Sequence, residues 1–147
     1  MKFTLKNAYK FGWKGLEGKA YNSKDDFKNA SVAFFKVNGE HGKIKTTLSD
    51  RVYYVTEGSG EFIINGKTIM VRKTDVIIVP KNTPYNYKGK MKLLLVHIPA
   101  YNERYEVKLL KDDWKTLSKL VKERNKKYGK LSEKEINKEV NAHRSRY

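Results

Sequence analysis

The chain has 147 residues, of which 39% are hydrophobic, so it is long enough for one folded domain and is excluded from the disordered class. It has no cysteine and no window near the ~18 apolar residues of a membrane span, which excludes a disulfide framework, a zinc knuckle and a membrane helix. The net charge is +16, but only six of the 32 basic residues are the arginines that phosphate and base readers favour, and no nucleic-acid motif accompanies them. Nucleic acid is therefore not the expected partner. Because the first residues carry no apolar segment of a signal peptide, the expected location is the cytoplasm.

Short β-rich runs dominate the chain from Ser31 to Pro99, after a polar and aromatic start over residues 1–30. Two Asn-Gly dipeptides, Asn38-Gly39 and Asn65-Gly66, each lie between such runs and predict hairpin turns, because both central residues of a type I′ turn need positive φ. The runs "DVIIVP" and "MKLLLVHIP" follow, with no helical pattern among them. This spacing predicts an antiparallel barrel or sandwich.

Helical spacing begins after Pro99. Asp112 is the expected N-cap of a first helix, and Ser132 the expected N-cap of a second, with a capping box completed by Glu135. The apolar stripe of the first helix consists of Trp114, Leu117, Val121 and Tyr128. The predicted organisation is a β-barrel domain over residues 1–101 and a helical C-terminal extension over residues 102–147.

Two stretches of the barrel region resemble the paired motifs of the cupin superfamily. They are "YYVTEGSGEF" and "TDVIIVPKNTPYNYKGKMKLLLVHIPA", and the resemblance covers roughly residues 30–100. The turn residues that match in pacing are Gly58, Gly60, Asp75, Pro80 and Pro84. The resemblance implies a mainly β fold, a cupin-type jelly-roll β-barrel with the helical C-terminal extension appended.

The metal ligands of that superfamily are missing. In metal-binding cupins the first motif supplies two histidines and a glutamate, and the second supplies a third histidine. In this chain the glutamate position is Arg51, and the position of the last histidine is Tyr85. The positions of the other two histidines are Ile44 and Thr46 or, one residue later, Lys45 and Thr47. None of these side chains is an ordinary ligand of a divalent metal. The resemblance therefore implies a metal-independent cupin, with no metal and no other cofactor expected.

A candidate ligand site can be placed inside the predicted barrel. Because side chains alternate along a strand, Arg51 and Tyr53 share one face, and Tyr85 and Tyr87 share another. An arginine among tyrosines is typical of a site for a small polar or anionic ligand, such as a sugar or a carboxylate. The alternative is that Arg51 pairs with Asp50 or Glu61 and the tyrosines only fill the barrel.

An enzymatic alternative uses His97. Some metal-free cupins are sugar epimerases or keto-isomerases that transfer protons through a histidine and a tyrosine, so His97 with Tyr85 or Tyr53 is the candidate catalytic pair. The paired histidines of those enzymes are absent, and a lone histidine on an apolar face is also typical of a hydrogen-bonded core residue. His41, which follows the Asn38-Gly39 dipeptide, is expected to be exposed.

A third alternative is a regulatory protein that acts through its last helix. "LSEKEINKEVNAHRSRY" resembles the C-terminal tails of small antitoxins, which present arginine to the acidic site of a toxin. The candidate partner-binding residues are Ile136, Val140, Arg144 and Arg146. This helix is too short to be stable alone, so it docks on its own barrel, on a dimer mate or on another protein. A homodimer through residues 1–30 or the first C-terminal helix is also predicted.

Overall fold

The structure is a computed structural model that describes residues 1–109, 122–127 and 129. The chain divides into two units, Met1–Lys108 and Leu109–Tyr147, and residues 122–127 of the second unit are helical. The candidate partner-binding residues Ile136, Val140, Arg144 and Arg146 lie outside the described residues. No helix within the described ranges has the length and apolar character required to cross a membrane.

Nine antiparallel strands form one curled sheet, a half-barrel, in the described part of the chain, which confirms the mainly β class. The strands are β1 (Tyr9–Trp13), β2 (Leu16–Ala20), β3 (Ser31–Glu40), β4 (Ile44–Thr46), β5 (Asp50–Ile64), β6 (Lys67–Arg72), β7 (Val76–Val79), β8 (Tyr85–Ile98) and β9 (Glu106–Lys108). Short 3₁₀ turns lie at Leu5–Asn7 and Glu103–Tyr105. The predicted boundary between the barrel and the helical extension lies after residue 101, but strand β9 continues the sheet beyond it.

Strand β8 is the centre of the sheet. It pairs with β3 from Ser31 opposite His97 to Glu40 opposite Lys88, and with β5 along its whole length. Strands β2 and β1 extend the sheet beyond β3, while β6 and β7 pair with the two halves of β5. The first residue of β8, Tyr85, also pairs with β4, which pairs in turn with β9. The amino-terminal end of β8 therefore lies between β5 and β4, and β4 connects it to β9.

The two Asn-Gly dipeptides have different structures. Asn65 and Gly66 have φ of 50° and 77° and join β5 to β6, as the hairpin prediction requires. The predicted turn at Asn38-Gly39 is wrong, because β3 continues through both residues to Glu40. The partner strand β8 is long enough to pair with both residues. Gly39 allows the backbone of Gly15 to pack closely against it, since a Cβ on Gly39 would lie 3.2 Å from the Cα of Gly15.

The buried face of the sheet holds an aromatic and aliphatic core. Arg51, Tyr53 and Val55 all face inward on β5, as strand alternation predicts. A bulge between Val55 and Glu57 then shifts the alternation, so that Phe62 also faces the core. The largest fully buried side chains are Tyr53, Tyr85, Tyr87, Phe62, Leu93 and Leu95. Burial of each of these side chains stabilises the folded state by about 1.5–3 kcal/mol. This core holds β5 and β8 in place around their buried polar groups.

Candidate functional site

Four side chains from two strands form the tyrosine–arginine cluster, which consists of Arg51 and Tyr53 from β5 and Tyr85 and Tyr87 from β8. The hydroxyl oxygens of Tyr53 and Tyr85 are 2.6 Å apart, and Nη1 of Arg51 donates a hydrogen bond to the Tyr85 hydroxyl. The Tyr85 and Tyr87 rings lie nearly parallel, with centroids 6.3 Å apart. The structure thus brings together all four residues that the sequence proposed for ligand binding.

Glu106 on β9 is the ionic partner of Arg51. Nη2 of Arg51 donates to Oε1 of Glu106, and the two side chains are 3% and 11% exposed. The two carboxylates proposed from the sequence do not reach Arg51: Asp50 accepts the backbone N–H of Lys81 at 2.9 Å, and Glu61 pairs with Lys88 at 2.9 Å. Sequence reasoning missed Glu106, which is 55 residues from Arg51 and lies in the segment expected to begin the helical extension.

His41 lies beside the cluster rather than in solvent, so its predicted exposure is wrong. The continued pairing of β3 brings its backbone N–H within 2.9 Å of the carbonyl oxygen of Tyr87. The imidazole stacks on the Tyr87 ring with centroids 4.5 Å apart, and Trp13 contacts it edge-on at 5.2 Å. His41 is half-buried, whereas Tyr53, Tyr85 and Tyr87 are at most 1% exposed. His41 is therefore more accessible to solvent than the three tyrosines.

The hydrogen bond of His41 fixes its tautomer. Nδ1 lies 2.8 Å from the carbonyl oxygen of Gly42, and because a carbonyl only accepts, Nδ1 carries the proton of the neutral ring. Nε2 then keeps its lone pair. Burial lowers the pKa of His41 to about 4 and outweighs the Gly42 bond, while the positive charges of Arg51 and Lys108 act in the same direction as burial. At neutral pH His41 is a neutral imidazole with an unprotonated Nε2.

Two polar atoms of the cluster lack a hydrogen-bond partner among the described residues. They are the hydroxyl of Tyr87 and Nε of Arg51. Burial raises the pKa of Tyr87 and of Tyr53 well above the ordinary value of a tyrosine, so both phenols stay protonated. A buried polar group without a partner costs about 1–3 kcal/mol, so these atoms favour a polar ligand oxygen beside them.

His97 has a different environment from the one that the enzymatic alternative requires. It is buried, its Nδ1 is 3.3 Å from the hydroxyl of Ser31, and its ring contacts Tyr101. Burial lowers its pKa to about 3, with the charge of Arg51 as a smaller cause. Within the described part of the chain, no hydrogen bond joins His97 to Tyr53 or Tyr85. This geometry is that of a hydrogen-bonded core residue, which the sequence left open.

The cupin metal positions do not hold donors that fit a metal. Arg51 is ion-paired, and Ile44 lies opposite Tyr85 in the sheet. Thr46 is buried with its hydroxyl accepting the backbone N–H groups of Leu48 and Ser49. Among residues 1–109, 122–127 and 129, no three histidine, cysteine, aspartate or glutamate side chains cluster as metal ligands would.

An open groove of about 500 Å³ lies on another part of the sheet. Its floor includes three glycines that are paired across neighbouring strands, Gly39, Gly89 and Gly60, and that have no side chain to fill the space. Glu61 and Lys88 are among the residues that line the groove. None of its lining residues belongs to the tyrosine–arginine cluster. The groove is explained by the close packing of these strands, since a Cβ on Gly89 would lie 2.5 Å from the Cα of Gly60.

One group of solved structures resembles this chain in both sequence and fold. Pac13 of Streptomyces, described as a nucleoside dehydratase, is 31% identical, with a TM-score of 0.69 over 74% of this chain and 90% of that chain. Three of its solved structures contain uridine and carry a substitution, in one a histidine replaced by glutamine and in the other two a tyrosine replaced by phenylalanine.

Two more distant structures share the fold alone. KdgF from Halomonas sp. is 14% identical, with a TM-score of 0.60 over 69% of this chain and 96% of that chain. A protein from Planctomyces limnophilus is 13% identical, with a TM-score of 0.66 over 72% of this chain and 94% of that chain.

No protein with a curated description matches the chain. Residues 27–103, just over half of the chain, match the family of the ethanolamine utilisation protein EutQ, a cupin-type family. The chain therefore belongs to the EutQ family and, as its motifs predicted, is a cupin.

Proposed function

We propose that this cupin binds a nucleoside beside His41 and the tyrosine–arginine cluster, and eliminates water from it by acid–base chemistry. The observation that carries the proposal is a shared constellation of one histidine and two tyrosines. In the Streptomyces dehydratase the two substituted tyrosines are 34 positions apart, as Tyr53 and Tyr87 are, and the substituted histidine precedes the first of them by 13 positions, where His41 precedes Tyr53 by 12. The same three residue types thus occur in the same order at nearly the same spacing.

The chemistry of water elimination fits these groups. A base removes a proton from carbon, the C–H electrons form a C=C bond, and the hydroxyl on the neighbouring carbon leaves as water after an acid protonates it. Nε2 of His41 is the base, because the hydrogen bond from Nδ1 to Gly42 leaves the lone pair on Nε2. The Tyr87 phenol is the acid, because its ring stacks on His41 and its hydroxyl has no partner within the described residues.

Recognition of a nucleoside uses the same side chains. Its sugar and base carry several oxygen acceptors, which suit the unpaired Tyr87 hydroxyl and Nε of Arg51. A flat base also suits the aromatic surroundings of His41, where Trp13 is 49% exposed. The sugar or carboxylate ligand that the sequence favoured stays an alternative, and the experiment below includes it.

Metal independence is part of the proposal. The reaction drawn above needs only a base and an acid, and the cupin ligand positions carry Arg51, Ile44, Thr46 and Tyr85. A divalent ion at those positions would meet a guanidinium in place of a carboxylate ligand. Binding and turnover are therefore expected to persist after treatment with a chelator.

The test is a uridine titration of the wild type and three variants by calorimetry. Uridine is expected to bind the wild type, and His41→Gln and Tyr87→Phe to weaken binding at least about tenfold, the effect of losing one or two well-placed hydrogen bonds. Tyr54→Phe is the matched control, because Tyr54 lies on the outer face of β5 next to Tyr53 and is 39% exposed. Loss of stability does not explain the Tyr87→Phe result, since that hydroxyl bonds nothing within the described residues.

Three outcomes of that titration contradict the proposal. One is the absence of uridine binding at millimolar concentration, and another is an equal loss of affinity in Tyr54→Phe. The third is binding of glucuronate or another sugar acid in preference to uridine, which would favour the anionic ligand instead. Loss of uridine binding on chelation would contradict metal independence alone.

The homodimer also remains a proposal. Strand β1 pairs with β2 alone among the described strands, and all five of its residues are exposed, including Tyr9 at 60% and Phe11 at 37%. An unpaired aromatic edge of this kind favours association through residues 1–30. Light scattering is expected to give twice the 17.2 kDa chain mass. Tyr9→Lys should shift the protein toward the monomer, and a monomer mass for the wild type at every concentration would remove the proposal.

A further inference from the structure

The charges inside the candidate site cancel. The guanidinium of Arg51 is always protonated, and its ion-pair partner Glu106 carries the opposite charge. Burial lowers the pKa of His41 to about 4, so this imidazole is neutral at neutral pH, and burial also keeps the Tyr53 and Tyr87 phenols protonated by raising their pKa. The other cation that lowers the pKa of His41 is Lys108, which is exposed. The interior of the site therefore has no net charge at neutral pH.

We propose that Glu106 determines the charge preference of the site, so that it accepts a neutral nucleoside and rejects the same nucleoside carrying a phosphate or a carboxylate. This inference rests on the proposed function, since it names the class of nucleoside that the site takes. Glu106 acts as a specificity-determining residue in this account, not as an acid or base in the reaction.

The hydrogen bonds of Arg51 support this role. Recognition of a carboxylate or a phosphate by arginine uses two parallel N–H groups, most often as a bidentate pair. Nη1 donates to Tyr85 and Nη2 donates to Glu106, so both terminal nitrogens are already bonded to fixed partners, and Nε is the nitrogen without a partner in the described chain. The Nε–H group suits a hydroxyl or a carbonyl oxygen of a neutral ligand. An anion at the same position would also lie close to the carboxylate of Glu106, a repulsion that low exposure strengthens.

The backbone holds Glu106 in this position. Glu106 begins β9, where it lies opposite Thr46 in the antiparallel pairing with β4. Thr46 is itself buried, and its hydroxyl accepts the backbone N–H of Ser49, the residue immediately before β5. The Ser49 hydroxyl in turn donates to the carbonyl of Pro99. The carboxylate thus reaches Arg51 from a paired strand. A ligand anion would have to displace a group that the sheet keeps beside the guanidinium.

The experiment compares uridine with uridine 5′-monophosphate on the full chain by calorimetry at pH 7. The wild type is expected to bind uridine at least about tenfold more tightly than the monophosphate, because the carboxylate repels the added charge. Glu106→Gln removes that charge and frees Arg51 for anion binding, so the preference is expected to reverse. Glu103→Gln is the matched control: it removes the same charge from an exposed residue of the adjoining turn and should leave the preference unchanged.

A double variant covers the case in which Glu106→Gln does not fold. Arg51→Gln combined with Glu106→Gln keeps the pair neutral and hydrogen-bonded, and its expected preference is near unity, because both the repulsion and the cation are gone. Equal binding of the two ligands by the wild type overturns the inference, as does an unchanged preference in either Glu106 variant. If the wild type binds neither ligand, the proposed nucleoside function fails as well, so the two failures are distinguishable.

Discussion

Replacing Arg51 with alanine is expected to lower the free energy of unfolding by about 3–5 kcal/mol, the usual result of removing one member of a buried ion pair. The carboxylate of Glu106, 11% exposed, loses its partner, and the Tyr85 hydroxyl loses a charged donor. The loss of the side chain from a position that is 3% exposed adds a cavity. Urea denaturation followed by tyrosine and tryptophan fluorescence measures the change.

Arg72→Ala is the control for that measurement. Arg72 is an exposed arginine on β6, so its removal should change the free energy of unfolding by no more than about 0.5 kcal/mol. Arg51→Met with Glu106→Leu should recover part of the loss, because apolar side chains of similar size replace a buried ion pair at little cost. A loss below about 1 kcal/mol in Arg51→Ala would mean that the ion pair is not formed in solution.

The free energy of unfolding is expected to fall as the pH falls from about 7 toward 4. Burial lowers the pKa of folded His41 to about 4 and of folded His97 to about 3, whereas an unfolded histidine titrates at 6.5. Between these values the unfolded chain binds more protons than the folded one, so acid favours unfolding and the stabilisation is complete only above about pH 7. One pKa unit corresponds to 1.36 kcal/mol, so the two histidines together contribute on the order of a few kcal/mol.

The window from pH 7 to pH 5 isolates this effect from the titration of carboxylates, which occurs lower. His41→Gln and His97→Gln should each flatten the pH dependence in that window, and the double variant should nearly remove it. A free energy of unfolding that stays constant or rises on acidification from pH 7 to pH 5 would show that neither imidazole is held neutral by burial.

The sequence predicted the faces of the strands better than their ends. A period of two along "RVYYV" and "YNY" is enough to put Arg51 with Tyr53, and Tyr85 with Tyr87, because the pleat alternates side chains wherever the strand is regular. The same rule does not say where a strand stops. Asn38-Gly39 has the composition of a hairpin turn, yet pairing with β8 carries β3 through it, and His41 is brought to Tyr87 as a result.

The role of Glu106 as the partner of Arg51 could not be predicted from sequence patterns, for a different reason. Strand β9 has three residues, too few for an alternation to be recognised, and its pairing with β4 is a long-range contact. The only available signal was energetic: a guanidinium in the glutamate position of a barrel needs a counter-charge or water. That argument allowed water, an internal partner or an anionic ligand for Arg51, and it could not select one among carboxylates that the chain brings together only on folding.

The central claim is that a nucleoside binds beside His41, and the most direct measurement is a uridine titration followed by NMR of the histidine rings. The chain has three histidines, His41, His97 and His143, so their ring signals can be assigned by substitution. The account predicts that the His41 signal shifts in a saturable way, with a midpoint equal to the calorimetric Kd, while the signal of the core residue His97 moves much less. A uridine titration that leaves the His41 signal in place, or shifts only another histidine, would contradict it.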